Sequence, residues 1–141
     1  MPKLTAYLSF DGKAAEAMHF YEEALGGKLD LLLKVGDVPE AATHLPKTAS
    51  EKILHAELSL KSGDVLMASD WMAPKPYEGM KGFSVALNCE AAQEARRIFE
   101  TLAEGGATLL PLQPSFFAEI FGMLIDRFGT PWSISGGTRQ K

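Results

Sequence analysis

His55 and Glu57 stand two residues apart in the run Ile53-Leu54-His55-Ala56-Glu57-Leu58-Ser59-Leu60, and on a strand that spacing places both side chains on one face. A histidine beside a carboxylate can work as a general base tuned by its neighbour, or as part of a divalent-metal site. The plainer reading is a hydrogen-bonded pair lining a cavity or a dimer seam, because perturbed pairs mark function only in some cases. On the same alternation Leu54, Ala56, Leu58 and Leu60 face the helices. Thr5, Tyr7 and Ser9 share the opposite face of the first strand, and Ser84, Ala86 and Asn88 share that of a later one. Two half-sheets with polar open faces suggest a cleft. Met67, Trp71, Met72, Tyr77, Phe116, Phe117, Phe121 and Trp132 gather around it in the sequence pattern, and Trp71 and Phe117 are candidate stacking walls for a ligand. The competing reading for them is core and interface, with Trp132 and Ile134 placed in the core by parity with Ile125. His19, among Glu16, Glu22 and Glu23, reads as solvated, and His44 belongs to a loop.

The elements that must position these residues follow from hydrophobic periodicity. Residues 4–10 alternate Leu4, Ala6, Leu8, Phe10 against Thr5, Tyr7, Ser9, a strand with one buried face. Asp11 is the expected N-cap of a helix in which Ala14, Ala17, Met18, Tyr21 and Leu25 recur at helical spacing until Gly26-Gly27 stops it. Strands are predicted at 28–35, 51–60 and 64–69, with a loop over 36–50. After a linker at 70–81, the second half reads as strand 82–89, helix 91–104, and strands 106–111, 119–126 and 130–135. Asp126-Arg127-Phe128-Gly129 is a turn whose Asp can bond the backbone.

The two halves repeat at an offset of 79 residues: Leu8, Phe20, Gly26 and Gly27 meet Leu87, Phe99, Gly105 and Gly106. The expected architecture is therefore α+β. It consists of two tandem βαβββ units, about 1–70 and 82–136 within one domain of 1–141, forming a curved mixed β-sheet with helices on its outer face. The Gly-Gly pairs are helix stops and not phosphate loops, since no Lys-Ser or Lys-Thr follows them.

The run from Leu110 through Gln113-Pro114-Ser115-Phe116-Phe117-Ala118-Glu119-Ile120-Phe121-Gly122 to Asp126-Arg127-Phe128-Gly129-Thr130-Pro131-Trp132-Ser133-Ile134 resembles the PhnB-like branch of the vicinal oxygen chelate superfamily. That superfamily includes the glyoxalases, bleomycin-resistance proteins and extradiol dioxygenases. Tyr7-Leu8-Ser9-Phe10, Phe20-Tyr21, Gly26-Gly27 and His55-Ala56-Glu57-Leu58 are similar to the same branch, and Phe117-Ala118 departs from it where relatives carry Trp-Gly. The resemblance implies the paired βαβββ fold and a homodimer. In metal-using relatives it implies a four-donor divalent site, whose positions fall near Thr5, Glu57, Ser84 and Ser133. Of these only Glu57 is an ordinary metal ligand, so no cofactor is expected. Glu57 with His55 would be the core of any site, and Glu119 or His44 further donors.

Three functions follow as expectations: a small-molecule binder with a degenerate metal site, a divalent-metal-dependent lyase, isomerase or dioxygenase of glyoxalase type, or a dimeric interaction protein without ligand. Labels tying this branch to phosphonate metabolism or a ubiquinone methyltransferase find no methyl-donor loop to support them. No catalytic residue is assigned.

Composition narrows the partners. At 141 residues, 46% hydrophobic and 23% charged, the chain can bury roughly two thirds of its unfolded surface. A net charge of -4 with scattered Lys and Arg speaks against nucleic acid. No apolar run reaches the ~18 residues of a membrane span. The single cysteine, Cys89, cannot form an intramolecular disulfide and reads as a small core residue, which fits a reducing, cytoplasmic setting.

Overall fold

The computed structural model describes residues 1–138. The chain divides into two compact units, Met1–Gly79 and Met80–Lys141. In the first unit β1 (Ala6–Phe10), α1 (Ala14–Leu25) and β2 (Lys28–Lys34) are followed by an excursion. It holds two 3-10 turns and the four-residue helix α2 (Pro39–Ala42), and the chain then enters β3 (Ile53–Ser59) and β4 (Val65–Asp70). In the second unit β5 (Val85–Cys89), α3 (Ala92–Ala103) and β6 (Ala107–Gln113) lead to β7 (Ala118–Ile125) and β8 (Pro131–Thr138). Each unit forms its own four-stranded mixed sheet, ordered β1-β4-β3-β2 and β5-β8-β7-β6. The first strand of each runs parallel to the last, and the other pairs are antiparallel.

The duplication holds at the level of register. Ala6 opposite Leu66 in the first unit becomes Val85 opposite Trp132 in the second, so the offset is 79 residues for the opening strand and 66 for the closing one. Even the irregularity repeats: β2 slips against β3 between Leu29 and Leu31, and β6 slips against β7 between Thr108 and Leu110. The difference in offset comes from one connection. Residues 35–52 join β2 to β3, whereas 114–117 suffice between β6 and β7.

Each helix lays one apolar stripe on its sheet. Ala14, Ala17, Met18, Tyr21 and Ala24 are buried from α1, and Ala95, Ile98, Phe99 and Leu102 from α3. They meet Leu8, Phe10, Ala56, Leu58, Leu66 and Ala68 in the first unit, and Ile120, Leu124, Trp132 and Ile134 in the second. Burying each of the larger side chains contributes about 1.5–3 kcal/mol. Gly26 ends α1 in the left-handed region at φ 70°. The glycine after it packs: a Cβ on Gly27 would lie 2.6 Å from the Ser59 carbonyl oxygen, and one on Gly106 would run into the Ile125 carbonyl. Both Gly-Gly pairs are thus filled contacts between a helix end and a strand.

Several expectations are corrected. Asp11 does not cap α1; the N-cap position is Lys13, without a side-chain bond. The Ala14 N–H instead donates to Asp70 Oδ1 at 2.9 Å, and Asp70 Oδ2 accepts from the Ile53 N–H at 2.8 Å. A carboxylate at the end of β4 therefore serves the helix start and fixes the entry of β3. Leu4 lies fully exposed ahead of β1, and Ala6 is exposed too, because the sheet begins only at Ala6. Ile53, not Leu54, enters the core, since β3 is irregular where Leu33 and Lys34 pair with His55 and Ile53. Trp132 and Ile134 are core as expected, but they share their face with Leu124. Ile125 lies opposite Pro131 on the other face.

Candidate functional site

The open face of the first sheet carries a continuous polar chain. Tyr7 on β1 stands opposite Met67 on β4, and Met67 stands opposite Glu57 on β3, so a single row crosses three strands. The Tyr7 side chain reaches over β4 to β3. Its ring stacks on the His55 imidazole with centroids 5.5 Å apart and planes 26° apart, and its hydroxyl lies 2.8 Å from His55 Nδ1. His55 Nε2 lies 2.8 Å from Glu57 Oε2. The strand period puts His55 and Glu57 on one face, and the parallel β1–β4 register brings Tyr7 level with them.

The hydrogen-bond directions follow from the carboxylate. An ionised Glu57 only accepts, so Nε2 carries a proton. A neutral imidazole then accepts the Tyr7 O–H at Nδ1, which turns the lone pairs of the Tyr7 oxygen outward. With an imidazolium both ring nitrogens donate and the Tyr7 O–H is released toward solvent. The chain can therefore present either an acceptor or a donor at Tyr7. The His55 and Glu57 side chains are 26% and 35% exposed, screened from bulk water yet open to a ligand.

The second sheet is built differently at the matching places. By register Tyr7, His55, Glu57 and Met67 correspond to Ala86, Phe121, Met123 and Ser133. The Ser84 and Ser133 hydroxyls bond each other at 2.7 Å, and the Ser135 hydroxyl bonds Asn88. Beside them Phe83, Ser84, Leu109, Met123, Ile125 and Pro131 line an apolar hollow of about 490 Å³. Phe117, 45% exposed, is packed edge-on against Phe116 and Phe121.

Trp71 belongs to the first unit. Its indole N–H donates to the Lys75 carbonyl at 2.6 Å, and its ring meets Tyr77 edge-on. It lines a separate hollow that includes none of Tyr7, His55 and Glu57. Thr5 is exposed just ahead of β1, His44 is exposed in the β2–β3 connection, and Glu119 is exposed on β7. His19 is solvent-facing beside Glu22. Cys89, expected in the core, is only half-buried at the end of β5; burial, followed by Glu94, raises its thiol above the ordinary range.

The family-type metal arrangement does not fit these residues. Three of its four positions hold hydroxyls, two of which satisfy each other, and Glu57 is engaged by His55. Among the described residues no three His, Cys, Asp or Glu gather as a metal cluster.

Two residues that shape the structure escaped the sequence reading. Asp70 ends an otherwise ordinary strand and carries no local signature of its distant role. Lys52 reads from the sequence only as one residue of the strand 51–60.

Paired βαβββ units with helices on one face of each sheet define the glyoxalase-like fold. The glyoxylase/bleomycin resistance protein/dioxygenase domain from Frankia shares it at a TM-score of 0.69 with 14% identity, over 100% of this chain and 95% of that one. The 3-demethylubiquinone-9 3-methyltransferase family matches residues 2–135, and the chain belongs to that family. It is 32% identical to the Escherichia coli protein YjdN, over 94% of this chain and 93% of that protein. It is similar to protein PA1353 of Pseudomonas aeruginosa, with 42% identity, a TM-score of 0.88, and coverage of 99% and 100%. The PhnB protein of Bacillus cereus matches at 26% identity and a TM-score of 0.76, covering 96% and 100%.

Proposed function

We propose that this protein binds a small cationic or aromatic molecule on the open face of its first sheet and does so without a metal. The Tyr7–His55–Glu57 chain carries the reading: a stacked ring pair offers a flat apolar surface, and a carboxylate at its end supplies charge. The methyl transfer in the family's name is not part of this proposal, because the glycine pairs that could have formed a donor loop are packed against strands. A homodimer is also part of the reading, supported by the large apolar side chains exposed on the second unit, Phe83, Leu109, Phe116 and Phe117; light scattering checks it. So is a cytoplasmic setting, supported by the single cysteine, Cys89. Among the described residues no helix is long and apolar enough to cross a membrane.

Benzylamine, an aromatic cation, is a direct probe. In an NMR titration its shifts are expected to centre on Tyr7, Met67, His55 and Glu57, and Glu57→Gln is expected to weaken binding about tenfold. Binding untouched by Glu57→Gln and by Tyr7→Phe would defeat the proposal.

A further inference from the structure

A second hollow of about 280 Å³ lies in the first unit, beyond the end of its sheet. Its walls come from three places: Asp11 after β1, the stretch from Leu45 to Lys52 before β3, and the stretch from Trp71 to Tyr77 after β4. The long β2–β3 connection supplies one wall, and four residues at the same place in the second unit could not supply its like. Trp71 and Tyr77 contribute aromatic surface, with ring centroids 6.2 Å apart at 64°. Both are held in place, Trp71 by its bond to the Lys75 carbonyl and Tyr77 by donating to the Ser9 carbonyl at 2.8 Å. The wall is therefore preorganised.

The charges point to the ligand. Lys52 is half-buried, and its ammonium, with three donors, makes one long contact of 3.4 Å to the Trp71 carbonyl. Among the described residues no carboxylate pairs with Lys52 or with Lys75, the other lysine lining the hollow. Asp11 is the one acid in the lining, which also holds two lysines. A half-buried lysine with donors to spare, in a lining shared with a fixed indole, suits an anion attached to a flat ring.

The geometry points to this hollow as a binding site for a single-ring aromatic carboxylate, with Lys52 holding the carboxylate and Trp71 and Tyr77 walling the ring. The site is independent of the Tyr7–His55–Glu57 face, and its ligand has the opposite charge.

Tryptophan fluorescence tests it directly, because the chain has two tryptophans and Trp132 is only 1% exposed. Benzoate is expected to change the emission saturably, and Trp71→Phe to remove the change while calorimetry still detects binding. Lys52→Met is expected to weaken benzoate about tenfold, and Lys52→Arg, which keeps the charge and guards against a folding artefact, to retain most of it. Benzamide and benzylamine should bind at least tenfold more weakly at this signal. Four outcomes would overturn the assignment: no saturation at millimolar benzoate, equal binding of benzylamine at Trp71, unchanged affinity in a folded Lys52→Met variant, or benzoate shifts centred on His55 and Glu57. Because benzylamine reports on one face and benzoate on the other, failure of one site leaves the other separately measurable.

Discussion

The two units share strand order, register and even a repeated slip in their edge pairing, yet their open faces have parted. Where the first sheet carries Tyr7, His55 and Glu57, the second carries Ala86, Phe121 and Met123. Positions facing the helices stay apolar in both because a change there opens or overfills a packed core. Positions on the other face carry no such cost, so duplication left one sheet free to hold a polar chain and the other an apolar hollow. The buried acids have diverged too. Asp70 ends β4, and the register-equivalent residue is Gly136, against which Ala95 of α3 packs. The second unit keeps its buried acid in the β7–β8 turn instead. There Asp126 accepts from the Phe128 and Thr130 N–H groups and from Trp132 Nε1.

The acids set the largest expected effects. Asp126→Ala removes an acceptor that serves three donors and should cost about 4 kcal/mol in denaturant unfolding, and Asp70→Ala removes one that serves two and should cost about 3 kcal/mol. A reversed order would mean that the two units are not held by comparable means. The matching glycines give the next contrast. Gly106→Ala meets only backbone atoms and should cost about 3 kcal/mol, whereas Gly27→Ala meets one carbonyl and two leucine side chains that can shift, and should cost about half as much. Smaller still is the stability carried by the polar face. His55→Gln and Glu57→Gln should each change stability by less than about 1 kcal/mol, as partly exposed polar pairs do, while weakening benzylamine about tenfold.

The smallest effect is pH-dependent. Burial, and secondarily Asp11, hold the Tyr77 phenol above its ordinary 10.0. The neutral hydroxyl is the form that donates to Ser9. Its contribution is therefore complete below about pH 10 and is lost as the pH climbs through the raised value. Urea unfolding across that alkaline range should show a declining limb that Tyr77→Phe flattens.

Much of this was legible in the residues. Period-two and helical patterns mark every strand and both long helices, and the offset of 79 marks the duplication. The face shared by His55 and Glu57 followed from strand parity alone. What stayed hidden depended on contacts remote in sequence. Asp11 has the right chemistry for a helix cap, but Asp70, 56 residues beyond Ala14, does the work. The inward turn of Ile53 rests on an irregularity in its pairing with β2. Tyr7 was a candidate by parity, but its bond to His55 required knowing that β4 lies between their strands. Lys52 acquires its setting from the long β2–β3 connection, Trp71 and Tyr77, which line one hollow from separate parts of the sequence.

The central claim is that the Tyr7–His55–Glu57 chain, not a metal, makes the site. Thermal unfolding of the metal-stripped protein against Zn, Ni, Mn, Fe(II), Co and Mg tests it most directly, because a ligand at a hundredfold excess over its Kd adds about 2.7 kcal/mol to stability. No rise in Tm is expected with any of these ions. A rise that Glu57→Ala abolishes would contradict it and make the first unit's face a metal-dependent enzyme site.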